Sequence, residues 1–466
     1  MATASNPSTP RTEPTEGSGG DETRLKRSIT GPLLFVFILG DVLGAGVYAL
    51  TGVLAGEAGG AMWIPILVAL AMALLTAASY AELVTKYPRA GGAAVFAQRA
   101  FKSPVVSFLV GFSMLAAGVV SAAGLAIAFA GDYLATFVPV PTAVAAPVFL
   151  VLVALLNARG IKESMRSNLV MTIIETSGLV LVIVLVGIAL GGGAGEPSRI
   201  MEFPDGVPAG SAILAAAVIA FYSFVGFETS ANIAEEVRDV RRVYPRALFG
   251  ALLACGVVYV LVAMASAAML PPDELSGTSG PLLAVVEATG AGLPPWVFSA
   301  IALVAVANGS LLTMIMASRL TFGMAEQGLL PPVFARVLPR RRTPWVAIVA
   351  TTAVAMVLTI VGNLATLAET VVLLLLLVFI STNAAVLVLR KDRVDQAHFR
   401  TPVVLPVLAL VSCVVLLIQQ SATVWLFSGV LLVVGAVLYV VSTQPWRTKQ
   451  DGAGRPDDAR TDDVHP

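Results

Sequence analysis

Three carboxylates stand inside long apolar runs of this 466-residue sequence: Asp41, Glu175 and Glu228. A charge at that depth in lipid costs several kcal/mol unless it faces a cavity or a partner, so such residues ordinarily mark the path of an ion or a substrate. Glu175 sits in Asn168-Leu169-Val170-Met171-Thr172-Ile173-Ile174-Glu175-Thr176 with no basic residue in its run. It reads either as a proton-exchanging group or as a protonated side chain satisfied by a backbone carbonyl.

The other two stand beside glycines. Asp41 belongs to Gly40-Asp41-Val42-Leu43-Gly44-Ala45-Gly46-Val47-Tyr48, and Glu228 ends Phe221-Tyr222-Ser223-Phe224-Val225-Gly226-Phe227-Glu228. Glycine costs about 1 kcal/mol relative to alanine inside a helix, so these positions favour an interruption. An interrupted helix offers bare amides at one half-helix end and bare carbonyls at the other, which suit a carboxylate and a cation. Small residues also let helices pack closely, and the first run alone leaves both readings open. Its recurrence in a second apolar run favours paired breaks around a midplane site.

Other chemistry finds little support. His398 and His465 lie in a polar loop and in the tail, and Cys255 and Cys413 sit in apolar runs without a CxxC pattern. Neither a metal site nor a disulfide is expected, nor any cofactor. No HExxH helix occurs, so a membrane-embedded hydrolase is disfavoured.

The elements that must position these residues follow from composition. The chain is 57% hydrophobic and 12% charged, with a mean hydropathy of +0.87. Soluble proteins carry roughly 25% charged residues, so a soluble enzyme or a nucleic-acid binder is excluded. Formal net charge is zero, which leaves no basic domain for nucleic acid. Twelve apolar spans are expected, at 29–54, 61–84, 104–131, 141–157, 168–190, 211–233, 246–270, 294–318, 344–362, 365–389, 402–420 and 424–442. Only helices satisfy the backbone of such segments in lipid, and the short alternating strands of a barrel are absent. The expected fold class is an all-α polytopic membrane protein.

With twelve spans, 28 of the 29 basic residues fall on one face, leaving Arg199 on the other. Basic residues collect on the cytoplasmic side, so both termini are expected there. The opposite face carries Glu57, Asp132, Glu196, Glu202, Asp205, Asp273, Glu274 and Glu287. Residues 1–28 and 444–466 are polar and read as disordered cytoplasmic tails, with no cleavable signal peptide. Five spans separate the two interruptions. An odd number per half inverts the second half, so 29–190 and 211–390 are expected as inverted repeats of five spans, with 402–442 appended.

Four motifs, in order, resemble the amino acid–polyamine–organocation superfamily of transporters. The first is Gly44-Ala45-Gly46-Val47-Tyr48, whose form is nearest to the cationic amino acid transporter branch. The second is Tyr87-Pro88-Arg89-Ala90-Gly91-Gly92. The third runs from Gly226-Phe227-Glu228 through Ala234-Glu235-Glu236-Val237-Arg238 to Tyr244-Pro245-Arg246-Ala247. The fourth comprises Arg319, Met324-Ala325-Glu326-Gln327-Gly328-Leu329-Leu330-Pro331 and Thr343-Pro344. Val240 and Ala94 depart from the family pattern, at positions commonly proline and aromatic.

The resemblance implies a LeuT-type fold with broken helices 1 and 6. It implies a substrate carboxylate on the amides of Gly44, Ala45 and Gly46, and an ammonium on the carbonyls of Val42, Tyr222, Ser223 and Val225. Phe112, Phe224, Phe227 and Asn308 would shape side-chain selectivity, with Asp41, Glu175 and Glu228 serving coupling or specificity. Glu175 falls where proton-coupled members often carry lysine. The implied function is secondary transport of amino acids across the plasma (inner) membrane, with the proton as coupling ion, by symport or exchange. Polyamine or other organic-cation transport is the alternative on the same fold. A channel or a drug or sugar carrier ranks lower, since the six-plus-six repeat and charged loop of a major-facilitator carrier are missing.

Overall fold

In lipid every backbone amide and carbonyl must find its partner within the segment or across a closed sheet. The computed structural model describes residues 29–43, 46–88, 92–159, 165–338, 343–394 and 396–452, excepting the side chains of 165–168 and 444–452. The tail residues 1–28 and 453–466 lie outside it, as do Gly44, Ala45 and Arg89, Ala90 and Gly91 of the second motif. Among the described residues the single β feature is an isolated parallel bridge between Ile29 and Val237. Everything else regular is helical.

The helices are α1 (Gly31–Leu43), α2 (Gly46–Ala58), α3 (Trp63–Lys86), α4 (Gly92–Phe101), α5 (Pro104–Phe129), the short α6 (Asp132–Ala135), α7 (Thr142–Ala158) and α8 (Met165–Gly191). They continue with α9 (Ala209–Tyr222), α10 (Val240–Met269), α11 (Pro272–Ser276), α12 (Pro281–Ala288) and α13 (Pro295–Glu326). The last four are α14 (Trp345–Val361), α15 (Leu364–Leu389), α16 (Val404–Ile418) and α17 (Ala422–Gly452). Eight helical stretches are long and apolar enough to cross a membrane, while α1, α7, α14 and α16 are apolar but shorter. The chain is a multi-pass membrane protein. Helix α17 continues beyond the apolar stretch ending at 442, into residues that read as tail.

Local chemistry sets several boundaries. Asn363 caps α15, its side chain accepting from Thr366 N at 2.9 Å, and Pro104 opens α5 where its missing N–H has no helical use. Helix α5 is the central post, with small residues such as Ala116, Ala117, Gly118, Ala122 and Ala123 buried along it. It packs against α13 and α15, a close approach that small side chains permit.

On the face rich in basic residues, Lys86 Nζ donates to the carbonyls of Leu389 and Asp392, both at 2.6 Å. Glu82 is 2% exposed. It accepts from Thr401 N at 2.8 Å and pairs with Arg390 at 3.3 Å. Outside the spans, Tyr87 donates to the Asp392 carboxylate at 2.6 Å, which holds that acid below its usual range.

Candidate functional site

Helix α1 is described to Leu43 and α2 from Gly46, so Gly44 and Ala45, the expected carboxylate amides and the place of the first expected break, fall outside the described residues. The second expected break follows α9. Gly226 has φ +124°, a backbone conformation essentially confined to glycine. The chain then resumes as a 3-10 stretch over Phe227–Glu236.

The two regions touch each other. A Cβ on Gly46 would lie 3.1 Å from the Ser223 Cα, and one on Gly226 would lie 2.8 Å from the Asp41 carbonyl oxygen. Thr229 donates its hydroxyl to the Asp41 carboxylate and also lies 2.8 Å from Gly226 O. Glu228, 3% exposed, accepts from Gly226 N at 3.0 Å. Carbonyls near a helix C-terminus have no intrahelical partner. Here the Tyr259 hydroxyl of α10 serves Val42 O of α1 and, at 3.0 Å, Ser223 O after α9.

Beside the breaks lies a cavity of about 560 Å³, within the range of small-molecule sites. One wall is Asp41, Val42, Gly46, Tyr222, Ser223, Val225 and Glu228. The facing wall comes from Met114, Gly118 and Ser121 on α5, Leu312, Thr313 and Met316 on α13, and Val371 and Leu375 on α15. Ser121 and Tyr222 share a hydrogen bond of 2.8 Å across it. Along α13 the lining extends to Arg319, an exposed side chain.

Outside the cavity lining, hydrogen bonds tie α2, α6 and α8 together. Tyr133 donates to Tyr48 O at 2.9 Å, and Tyr48 donates to Glu175 O at 2.6 Å. Above them one oxygen of Asp132 gathers Thr278 Oγ1, Ser279 N and Gly280 N at 2.6, 2.9 and 3.1 Å.

Four expected pocket residues and Glu175 stand outside the cavity lining. Phe112 stacks on Phe108 at 5.7 Å, and its ring atoms crowd Gly435 of α17. Phe224 meets Tyr259 edge-on at 5.3 Å, and Phe227 stacks on Phe379 at 5.4 Å. Asn308 on α13 donates to Glu175 Oε1 at 2.9 Å. Glu175 itself is fully buried, and its other oxygen has no hydrogen-bond partner. Tyr259, Thr229 and Ser121 belong to the site without having been singled out from sequence. A tyrosine within an apolar run was a usable signal, because its buried hydroxyl needs a partner.

A cavity among packed helices, beside the glycine-made interruption after α9, suits a membrane permease. The family model for amino acid permeases matches residues 31–445, and the chain belongs to that family. It is 27% identical over 446 residues to a branched-chain amino acid permease of Bacillus subtilis, covering 90% of this chain and 93% of that protein. A methylthioribose transporter of the same organism is 28% identical over 439 residues, covering 89% and 93%. Cationic amino acid transporter 4, vacuolar, of Arabidopsis thaliana is 29% identical over 388 residues, covering 79% and 64%.

Proposed function

We propose that this protein is a secondary transporter of amino acids in the plasma membrane, with twelve spans and both termini cytoplasmic. Residues 29–190 and 211–390 form two inverted repeats of five spans, and 402–442 adds two more. The observation that carries this reading is the contact of the two breaks, Gly46 against Ser223 and Gly226 against Asp41, beside the cavity. The amides of Gly44, Ala45 and Gly46 receive the substrate carboxylate, and the carbonyls of Val42, Tyr222, Ser223 and Val225 receive its ammonium. Such a zwitterion needs donors and acceptors a few ångströms apart in a dry site, which paired half-helices supply.

Alternating access follows from the asymmetry of the cavity. Its lining includes exposed Arg319, while Tyr133 and Tyr48, joined by a hydrogen bond, stand outside it. With the basic face cytoplasmic, this arrangement corresponds to an inward-facing state. Glu175 exchanges a proton with the transport cycle: it is buried behind the first break, bonded to α13 through Asn308, where its charge biases one packing over another. Proton-driven symport is the expected mode, with amino acid exchange as its uncoupled form.

A second reading, transport of an organic cation, is favoured by Asp41 and Glu228 in the cavity wall. Competition of radiolabelled amino acids and polyamines in proteoliposomes, with and without an imposed proton gradient, separates the two. Amino acid uptake that rises with the gradient supports the first reading. Uptake of polyamines alone overturns it.

A further inference from the structure

Helix α8 turns one face toward both α1 and α2. Thr172, Glu175 and Gly178 follow one another at intervals of three residues, which stack along one side of a helix. At the first of them, a Cβ on Gly40 of α1 would run into the Thr172 side chain. At the last, a Cβ on Gly178 would run into the hydroxyl of Tyr48 on α2 and lie 2.6 Å from an Ile301 methyl of α13. Gly178 is not among the glycines with positive φ, so what it supplies is room for that hydroxyl. Glu175 stands between the two contacts, one carboxyl oxygen held by Asn308. The fully buried Tyr48 phenol reaches past Gly178 to the Glu175 carbonyl and donates to it at 2.6 Å. A helical carbonyl has a second lone pair beyond the one its own ladder uses, so it can accept this bond as well.

We propose that Tyr48 is a positioning residue for Glu175 and that Gly178 is the opening that admits it. The phenol fixes the rotation of α8 at the turn that carries the carboxyl, and so fixes where the carboxyl points. Tyr48 stands two residues after Gly46 on α2, and Gly46 lines the cavity. A shift of α2 at the cavity therefore reaches Glu175 through one hydrogen bond, because packed helices move between discrete arrangements. The inference rests on the reading of Glu175 as the proton-exchanging group for its consequence, but not for its geometry. Tyr48 itself stands outside the cavity lining, so its loss separates coupling from binding.

The test uses Y48F, G178A and the pair Y48F/G178A in the full-length protein, with Y244F as control. Tyr244 is equally buried, but its hydroxyl meets Ser230 Oγ at 2.8 Å instead. Hydrogen exchange is measured on segment 172–182 without substrate. Leucine counterflow, and leucine accumulation under an imposed proton gradient, are then measured in proteoliposomes. In Y48F, hydrogen exchange across the segment rises about fivefold, the order expected for one lost buried hydrogen bond. Accumulation falls by a similar factor while the KM of counterflow is unchanged. Y244F changes none of these. G178A bars the hydroxyl and reproduces the Y48F changes. In Y48F the obstacle is gone, so adding G178A there changes little further.

Unchanged hydrogen exchange in Y48F, or an equal rise in Y244F, overturns the proposal. So does a rise in counterflow KM that matches the loss of accumulation, or a G178A penalty as large in Y48F as in the wild type. Should G178A fail to fold, recovery of folded protein in Y48F/G178A supports the opening, and continued failure overturns it. If the wild type accumulates no leucine, or Glu175→Gln accumulates as the wild type does, the coupling reading fails. Hydrogen exchange in Y48F and in the G178A pair still decides on Tyr48.

Discussion

The two glycine-bearing runs look alike in sequence and differ in physics. At Gly226 the backbone itself demands glycine, because φ is +124° and the Asp41 carbonyl would lie 2.8 Å from any Cβ. Gly46 is the first residue of helix α2 and is not among the glycines with positive φ. What it needs is space, since the Ser223 Cα would stand 3.1 Å from a Cβ there. One glycine makes a turn and the other makes room. A glycine in an apolar run therefore signals a special site without saying which of the two constraints applies.

The largest expected effect breaks the first half of that contrast. Gly226→Ala meets both strain and a backbone clash, about 1–3 kcal/mol for the conformation alone, so uptake should fall more than tenfold and the thermal midpoint in detergent should drop. Near-normal transport would show that the second break adapts. Gly46→Leu comes next: substrate binding is lost while the protein stays folded, with a lowered midpoint because the side chain meets the Ser223 backbone. Gly46→Ala sharpens the comparison, with a shift of a few tenths of an ångström and a loss of severalfold rather than complete. Wild-type affinity in Gly46→Leu would sink the assignment of Gly46 to the substrate site.

Glu175→Gln tests a region behind the breaks. It keeps the hydrogen-bonding shape toward Asn308 and imitates the protonated form, so exchange and binding persist while gradient-driven accumulation disappears. Accumulation equal to wild type would remove Glu175 from the coupling scheme. The smallest effect is expected at Asp41. Thr229 ties its carboxylate across the two breaks, so Asp41→Asn should weaken leucine and lysine uptake by the same few-fold factor. A loss confined to lysine would instead make Asp41 a reader of cationic side chains.

How much of this was legible beforehand depended on what a membrane sequence encodes. Length and apolarity specify helices, because lipid leaves the backbone no other partners. Buried carboxylates and mid-run glycines stand out against such a background, which is why Asp41, Val42, Gly46, Ser223 and Glu228 could be brought to one cavity from residue types and resemblance alone. Rotation about each helix axis was not legible. A soluble helix announces its inner face by alternating polar and apolar residues, whereas here both the lipid face and the packed face are apolar. Phe112 and Phe227 consequently read as pocket walls but pack against Phe108 and Phe379.

The sequence by itself determined that the chain is helical and membrane-spanning and that three carboxylates stand within its apolar runs. Each of those follows from the cost of exposing charge or unpaired backbone to lipid. Only the tertiary structure decided that Gly46 meets Ser223 and Gly226 meets Asp41, that Glu175 pairs with Asn308 and that Tyr259 serves the Val42 and Ser223 carbonyls. Those contacts join residues up to 217 positions apart. They depend on how helices are rotated and packed, which residue type and local spacing leave open.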